Sequence, residues 1–323
     1  MQFYLAPMEG ITNYIFRNAV EEFYPGSVDR FYAPFIVPHE KIGMSEKDRR
    51  ELCPERNPGI CLIPQNLTNR VKDFCSLSAQ LKEEYGYQMV NLNLGCPSKT
   101  VTSKGRGAGF LAKPEELDHF LEEVFSHNEV EVSIKTRLGM RDAQEFEQLM
   151  EIYNRYPIRE LIIHPRVQAD YYNNTVNMEA YILAAENADM PLCFNGDIAS
   201  VADFDRKMEI LKTSQKAADK TQAIMLGRGM VENPALIGLI RSSLQDETRG
   251  QEWQRLFAFL QKVLHEYSEI LSGDRDVLFR MKEIWSYMNR LFPDSEKAWK
   301  AIRKAQHLTE YDSAVNEIFR GKF

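Results

Sequence analysis

No stretch of this sequence reaches the roughly 20 consecutive apolar residues that a membrane-spanning helix needs. The opening MQFYLAPMEG carries neither the basic leader nor the apolar run of a secretory signal. A soluble, cytoplasmic protein is therefore expected. The five cysteines, Cys53, Cys61, Cys75, Cys96 and Cys193, form no CxxC pair, and a chain of 323 residues does not need disulfide staples. Reduced thiols are expected. Histidine is scarce, at six residues, and none stands with a second histidine or a carboxylate at metal-ligand spacing, so no metal site is expected. Positive charge is not in excess: 40 Lys and Arg face 47 Asp and Glu, a net charge of -7. At face value that argues against a polyanionic partner. Internal repeats and low-complexity tracts are lacking too, and an apolar content of 44% with 27% charged residues excludes wholesale disorder.

What is present is an alternation. Short β-rich apolar runs at 2–6, 29–35, 59–64, 89–94, 131–137, 161–164, 192–195 and 223–226 are separated by helical patterns, among them 71–85, 114–126, 143–155 and 178–187. The crossover 39–57 is the weakest helix of the set and reads as partly loop. Eight strands alternating with helices is the count of a (β/α)8 TIM barrel. A doubly wound sheet competes, but it carries a glycine-rich turn after its first strand. Here that position reads Ala6-Pro7-Met8-Glu9-Gly10. The barrel is the better reading, spanning residues 1–244. From 245 to 323 strand signals cease, and Leu256, Phe259, Leu260, Val263, Leu264 and Tyr267 recur at helical spacing, so a small α-helical bundle is expected there. Between Arg275 and Lys304 eight basic residues, Arg280 and Lys300 among them, face four acidic ones. That local excess suits either a phosphate-facing stripe or an ordinary solvated helix face.

Barrel enzymes place their chemistry at the C-terminal ends of the strands. Polar or reactive groups follow seven of the eight runs: Pro7-Met8-Glu9, Gln65-Asn66, Asn93-Leu94-Gly95-Cys96-Pro97, Lys135-Thr136-Arg137, His164-Pro165-Arg166, Asn195-Gly196-Asp197 and Gly227-Arg228-Gly229. Gly196 and Gly227, on the last two strands, let backbone N–H groups approach an anion, and Arg228 adds a cationic fork, the usual phosphate cradle of such barrels. The same glycines also suit tight turns. Lys135 is open to three readings: a Schiff-base amine, a cation against a flavin ring, or a surface lysine beyond its strand. Arg137, two residues on, points the same way. Cys96 opens the basic, glycine-rich segment 98–109, read as a mobile electropositive loop in which a thiol reacts or donates a proton. Cys61 and Cys193 read as small core residues. His164 is either structural or part of the site.

Val90-Asn91-Leu92-Asn93-Leu94-Gly95-Cys96-Pro97 resembles the signature of the tRNA-dihydrouridine synthases, and Ala6-Pro7-Met8, Lys135-Thr136-Arg137, Asn195-Gly196-Asp197 and Gly227-Arg228-Gly229 resemble that family in order and spacing. The likeness spans the whole chain. It implies FMN at the barrel mouth, reduced by NADPH, and reduction of the C5–C6 bond of a tRNA uridine. Pro7, Met8 and Glu9 would line the flavin, Gln65 would contact its ring, and Lys135 would neutralise charge at its pyrimidine edge. Asn195, Gly196, Asp197, Gly227 and Arg228 would hold the ribityl phosphate, with His164 nearby. Asn93, Arg137 and Arg166 would hold the uracil; hydride would pass from flavin N5 to uracil C6, with Cys96 protonating C5. The helical region, through Arg280 and Lys300, would grip tRNA. The family usually has Asp at Asn91, Gly at Pro165 and Thr at Val167. Glu9 and the basic tail resemble the bacterial subgroup acting early in the D-loop, and a monomer is expected. Rival readings are an FMN oxidoreductase of small molecules, a catalytically silent RNA-binding barrel, and a Schiff-base aldolase on Lys135.

Overall fold

The apolar runs of the sequence become the staves of a barrel. A computed structural model describes residues 1–38, 43–241 and 249–322, with the side chains of residues 249 and 250 left aside. Its strands are β1 (Gln2–Leu5), β2 (Arg30–Tyr32), β3 (Leu62–Ile63), β4 (Gln65–Asn66), β5 (Met89–Leu94), β6 (Glu131–Arg137), β7 (Leu161–His164), β8 (Leu192–Asn195) and β9 (Thr221–Leu226). They form one sheet in the order β3-β2-β1-β9-β8-β7-β6-β5-β4, with every neighbouring pair parallel. The nine pieces are eight staves, because β3 and β4 are halves of one. Pro64 divides them, since it has no N–H to donate. β3 ladders onto β2, while β4 ladders onto β5. The Pro64 carbonyl still accepts the Asn91 N–H at 2.9 Å, and Ile36 N donates to Gln65 O at 2.8 Å. The split stave thereby joins the two ends of the sheet, and the expected (β/α)8 barrel is observed.

The helices that follow the staves are α1 (Tyr14–Phe23), α2 (Glu46–Leu52), α3 (Val71–Tyr85), α4 (Lys99–Thr102), α5 (Pro114–His127), α6 (Glu145–Tyr153), α7 (Met178–Asn187), α8 (Val201–Leu211), α9 (Gln215–Lys220) and, after the last stave, α10 (Arg228–Glu232) and α11 (Leu236–Arg241). The crossover read as weakly helical contains α2, secured by a reciprocal capping box between Ser45 and Asp48; residues 39–42 of that reading lie outside the described residues. The segment expected to be a mobile loop is instead α4 followed by a 3-10 turn over Gly107–Ala112, and Ala108 N donates to Cys96 O at 3.1 Å. Val101, Ala108 and Phe110 are buried, and their burial overrides the loop-like composition.

Tyr4, Tyr32, Ile63, Ile162, Cys193 and Met225 fill the barrel interior, and a larger apolar layer lies between staves and helices. Cys193 is buried as expected, but Cys61 is exposed, although its carbonyl accepts from Phe31 N at 2.9 Å at the start of the stave. The lower end of the barrel is closed by the buried carboxylate of Glu160, which accepts from Tyr4 Oη at 2.8 Å and Tyr32 Oη at 3.1 Å. With Arg30 only 3.8 Å away, burial still holds the Glu160 carboxyl above its ordinary value.

The C-terminal helices are α12 (Arg249–Ile270), α13 (Asp274–Met288), α14 (Glu296–Lys304) and α15 (Leu308–Phe319). The expected boundary at 244/245 lies outside the described residues. These helices dock on the barrel through apolar contact: the Phe259 ring meets Phe16 edge-on at 5.5 Å between centroids and packs on Phe23 and Tyr24. Asn13 Nδ2 donates to Tyr267 Oη at 2.9 Å in the same joint. Phe259→Ala should destabilise the protein by about 3–5 kcal/mol, the usual cost of emptying a buried phenylalanine site. Chemical denaturation measures it, and a loss below about 1 kcal/mol would show that this joint contributes little to stability.

Candidate active site

The C-terminal ends of the staves open onto a cavity of about 850 Å³. Pro7, Met8 and Glu9 after β1, Gln65 of β4, and Asn93 and Cys96 at the end of β5 all line it. So do Lys135 and Arg137 of β6, His164 of β7, Asn195, Gly196 and Asp197 after β8, and Gly227 and Arg228 after β9. Residues far apart in sequence are gathered because parallel staves end at one level. Gln65 faces the cavity, while Asn66, next along the stave, points the other way, and its amide nitrogen and oxygen are buried without a hydrogen-bond partner. Arg166 lies behind His164, 3% exposed. Arg280 and Lys300 do not line the cavity. Arg280 Nη1 donates to Gly10 O at 3.2 Å and pairs with Glu283 at 3.0 Å, whereas Lys300 is exposed on α14.

Lys135, Arg137 and Arg228 gather in the cavity, which Glu9, Asp197, Asp203 and Glu232 also line. The Lys135 ammonium sits deep in the mouth, and burial first, then Arg137, lowers its pKa to about 8. Arg137 is fixed by its own donors, Nε to Gly95 O at 2.8 Å and Nη1 to Val167 O at 3.0 Å. Asp197 grips the other two cations, accepting from Arg166 Nη2 at 2.6 Å and Arg228 Nη2 at 2.9 Å. It also accepts from Val176 N at 3.2 Å, and these contacts hold it at φ +48°, a conformation costly for a residue with a Cβ. Arg166 Nη1 meets His164 Nε2 at 2.9 Å. A guanidinium can only donate, so His164 Nε2 accepts and the ring proton belongs on Nδ1. Burial, reinforced by Lys135, Arg137, Arg166 and Arg228, holds the His164 pKa well below its ordinary value. The histidine is a neutral member of a cationic cluster.

Cys96 lines the same cavity. Burial raises its pKa above the ordinary thiol value, with Glu9 adding to the rise and the Ser98 backbone, Arg137 and Lys135 opposing it. The thiol therefore keeps its proton, which suits a donor better than a nucleophile. The loops after the last two staves meet closely. A Cβ on Gly229 would lie 2.1 Å from Ile198 O, and one on Gly196 would lie 2.5 Å from Val176 Cγ1. Gly229 lets the start of α10 close on the loop after β8 beside Arg228, and Gly196 lets that loop close on Val176 and His164.

Several cavity residues had gone unnoticed in the sequence. Phe35 supplies the one stave end without a polar group, and Tyr287 and Arg290 come from the helical region. Tyr172, 53% exposed, lies with Arg137 and Arg228 at 5.2 and 5.0 Å from its ring centroid. No local pattern marks these positions, since only the packing of α13 and the β7 loop brings them over the mouth. Among the described residues no group of three His, Cys, Asp or Glu could hold a metal ion, and no helix is long and apolar enough to cross a membrane.

Cations, a neutral imidazole and a protonated thiol suit an anionic ligand beside a group awaiting a proton. The family model for dihydrouridine synthases matches residues 4–320. The chain belongs to the dihydrouridine synthase family. It is an oxidoreductase of that flavin-dependent family. It is similar to the tRNA-dihydrouridine(16) synthase of Cupriavidus necator, 25% identical over 98% of this chain and 96% of that one. The tRNA-dihydrouridine synthase B of Pasteurella multocida is 25% identical over 93% and 88%. Among solved structures, N-(5'-phosphoribosyl)anthranilate isomerase of Pyrococcus furiosus aligns at a TM-score of 0.44 and 14% identity, covering 74% of this chain and 96% of that one.

The lowered Lys135 pKa carries a sign. An unfolded lysine keeps its proton to about pH 10.4, so between about 8 and that value the unfolded chain binds more protons and stability rises with pH. Below about pH 8 the buried charge weighs fully against the ligand-free fold. Lys135→Met should therefore melt higher than the parent at pH 7, with the gap narrowing from pH 8 to 10. Thermal melts across that range test it, and a gap independent of pH would detach the effect from the ammonium.

Proposed function

We propose that this family member reduces the C5–C6 bond of a uridine in the D-loop of tRNA, using FMN reduced by NADPH. The observation that carries the reading is the meeting of a protonated, half-buried Cys96 with the buried ammonium of Lys135 in one cavity. The cavity's donor set fits FMN. Arg228, with the Gly196, Gly227 and Gly229 backbone, offers a phosphate both charge and close approach. Asp197 enters through the arginines it grips, because a carboxylate by itself repels a phosphate. Pro7, Met8, Glu9, Gln65, Asn195 and His164 would complete the flavin's surroundings, and Lys135 would neutralise negative charge on its ring. FMN held by these residues would supply the hydride, with NADPH as its reductant.

The protein's own contribution is placement and a proton. Asn93 and Arg137 would hold the uracil, with Arg166 behind them stiffening His164. Cys96 Sγ–H would deliver the proton to C5, and its raised pKa keeps that proton available at neutral pH. A base can reach a barrel mouth only when flipped out of the RNA stack. The flanking helices would grip the RNA backbone, with Lys297, Lys300, Arg303 and Lys304 exposed on α14 although the chain as a whole is acidic. Relatives named for position 16, including that of Escherichia coli O157:H7, support a uridine early in the D-loop. A tRNA substrate also implies the cytoplasm.

The test is position-resolved dihydrouridine analysis of unmodified tRNA incubated with the protein and NADPH. Product at one D-loop position is expected; a flavin-loaded protein that makes none would favour a small-molecule oxidoreductase. Cys96→Ala should keep its flavin and oxidise NADPH but lose uridine reduction by at least roughly 10²-fold, and near-normal turnover would remove the thiol from its role. Because Arg280 is tied to Gly10 O and Glu283, the test falls on α14: Lys300→Glu with Arg303→Glu should weaken tRNA binding and flatten its salt dependence, read by filter binding at several ionic strengths. Unchanged affinity would move the RNA surface elsewhere.

A further inference from the structure

An unbroken line of amides crosses the inner wall of the barrel beneath the cavity. Ser133, Asn91, Gln65 and Asn93, on three adjacent staves, are 0%, 0%, 1% and 6% exposed. Asn91 Nδ2 donates to Ser133 Oγ at 2.9 Å, and Gln65 Nε2 donates to Asn91 Oδ1 at 2.7 Å. Asn93 Nδ2 donates to Gln65 Oε1 at 2.7 Å, and Asn93 Oδ1 accepts the N–H groups of Gly95 at 3.0 Å and Cys96 at 2.9 Å.

The polarity of this line is set from one end. Backbone N–H groups only donate, so the Asn93 oxygen must face Gly95 and Cys96. Its nitrogen must then face Gln65, which has to answer with its oxygen. The Gln65 nitrogen is thereby turned to the oxygen of Asn91, and the Asn91 nitrogen to Ser133. Flipping any one amide sets nitrogen against nitrogen or oxygen against oxygen in a buried place, where an unpaired polar group is expensive. A chemical consequence follows for the cavity, which both Gln65 and Asn93 line. The Asn93 oxygen already accepts twice, and the Gln65 oxygen is engaged by Asn93. Each amide has one N–H left to offer, and the Gln65 oxygen keeps a second lone pair, whereas the Asn93 oxygen, which accepts twice, has none.

We propose that Asn91, which does not touch the cavity, is a positioning residue. It holds the Gln65 amide, and through it Asn93 and the backbone at Cys96, in the one polarity that presents N–H donors to a ring ligand. A ring bound against Asn93 meets only an N–H donor, so it turns a carbonyl oxygen or a bare ring nitrogen toward that amide. A ring that presents an amino group there is disfavoured, because donor would meet donor. The identity of that ring as flavin or uracil rests on the function proposed above; the polarity itself does not.

The test uses the ligand-free protein, so that it is independent of RNA and NADPH. The rate of alkylation of Cys96 by iodoacetamide, resolved by peptide mass spectrometry from that of the other cysteines, reports how firmly the amide line holds the Cys96 backbone. Asn91→Leu keeps the side chain's bulk and removes both hydrogen bonds; alkylation of Cys96 should rise by roughly fivefold or more, the factor carried by one lost hydrogen bond. FMN affinity, titrated by fluorescence quenching, should fall in the same variant. Asn91→Asp can accept from Gln65 Nε2 and from a turned Ser133 hydroxyl, so both readouts should return to near the parent values. A leucine variant with parental alkylation overturns the proposal, as does an aspartate variant that fails as badly as leucine, which would make the effect one of packing. If the leucine variant does not fold, Ser133→Ala takes its place and should raise the alkylation rate in the same direction; no rise there overturns the proposal as well. Intact amide readouts in a protein that yields no dihydrouridine would count against the proposed reaction and leave the positioning role standing.

Discussion

Four cationic side chains, Lys135, Arg137, Arg166 and Arg228, converge on one end of the barrel, and two of them grip the same carboxylate, Asp197. Like charges so close and so shielded from water repel strongly. The surrounding structure is arranged around that repulsion. Arg137 is held by two carbonyl oxygens, and Arg166 and Arg228 by Asp197. His164 gives up its second proton and becomes an acceptor for Arg166. Lys135 is left closest to neutrality. An anionic ligand would relieve the whole cluster at once, and a site of this kind is preorganised at a cost to the ligand-free fold.

The same field separates two roles that a cysteine can play. Nearby cations alone would draw the Cys96 thiol toward the thiolate, the state of a nucleophile. Burial outweighs them here, with Glu9 on the same side of the balance, and the proton stays. The balance between desolvation and charge, rather than the presence of a cysteine, decides that the thiol stays protonated.

The net charge of -7 and the cluster of cations in the mouth are compatible because electrostatics is local. Acidic residues are spread over the outer surface, often in pairs with basic ones, such as Glu129 with Lys82 and Glu84 with Arg49. The basic run of the tail proved heterogeneous on the same grounds. Arg280, Lys282 and Arg290 are engaged by Gly10 O, Ala305 O and Glu232, whereas Lys300 and its neighbours on α14 face solvent.

The barrel was legible in the sequence because its signals are local: apolar runs of strand length, helical spacing between them, and polar residues directly after each run. Those strand ends named the cavity residues from Pro7 to Arg228, and family likeness added the chemistry. Local patterns misjudged the segment 98–109, where glycine and lysine suggested a loop and long-range burial of Val101 and Phe110 made turns of helix. They were also silent on Tyr172 and Tyr287, and read Arg290 only as part of the basic run; all three reach the mouth only through the packing of other elements over it. The sequence by itself determined the number of staves and which residues stand at their ends, since both follow from order along one chain. Only the tertiary structure decided the neutral His164, the retained proton of Cys96, the lowered Lys135 and the polarity of the Ser133–Asn91–Gln65–Asn93 line. Each depends on the distance and dielectric between groups on different staves, and neither exists until the barrel has closed.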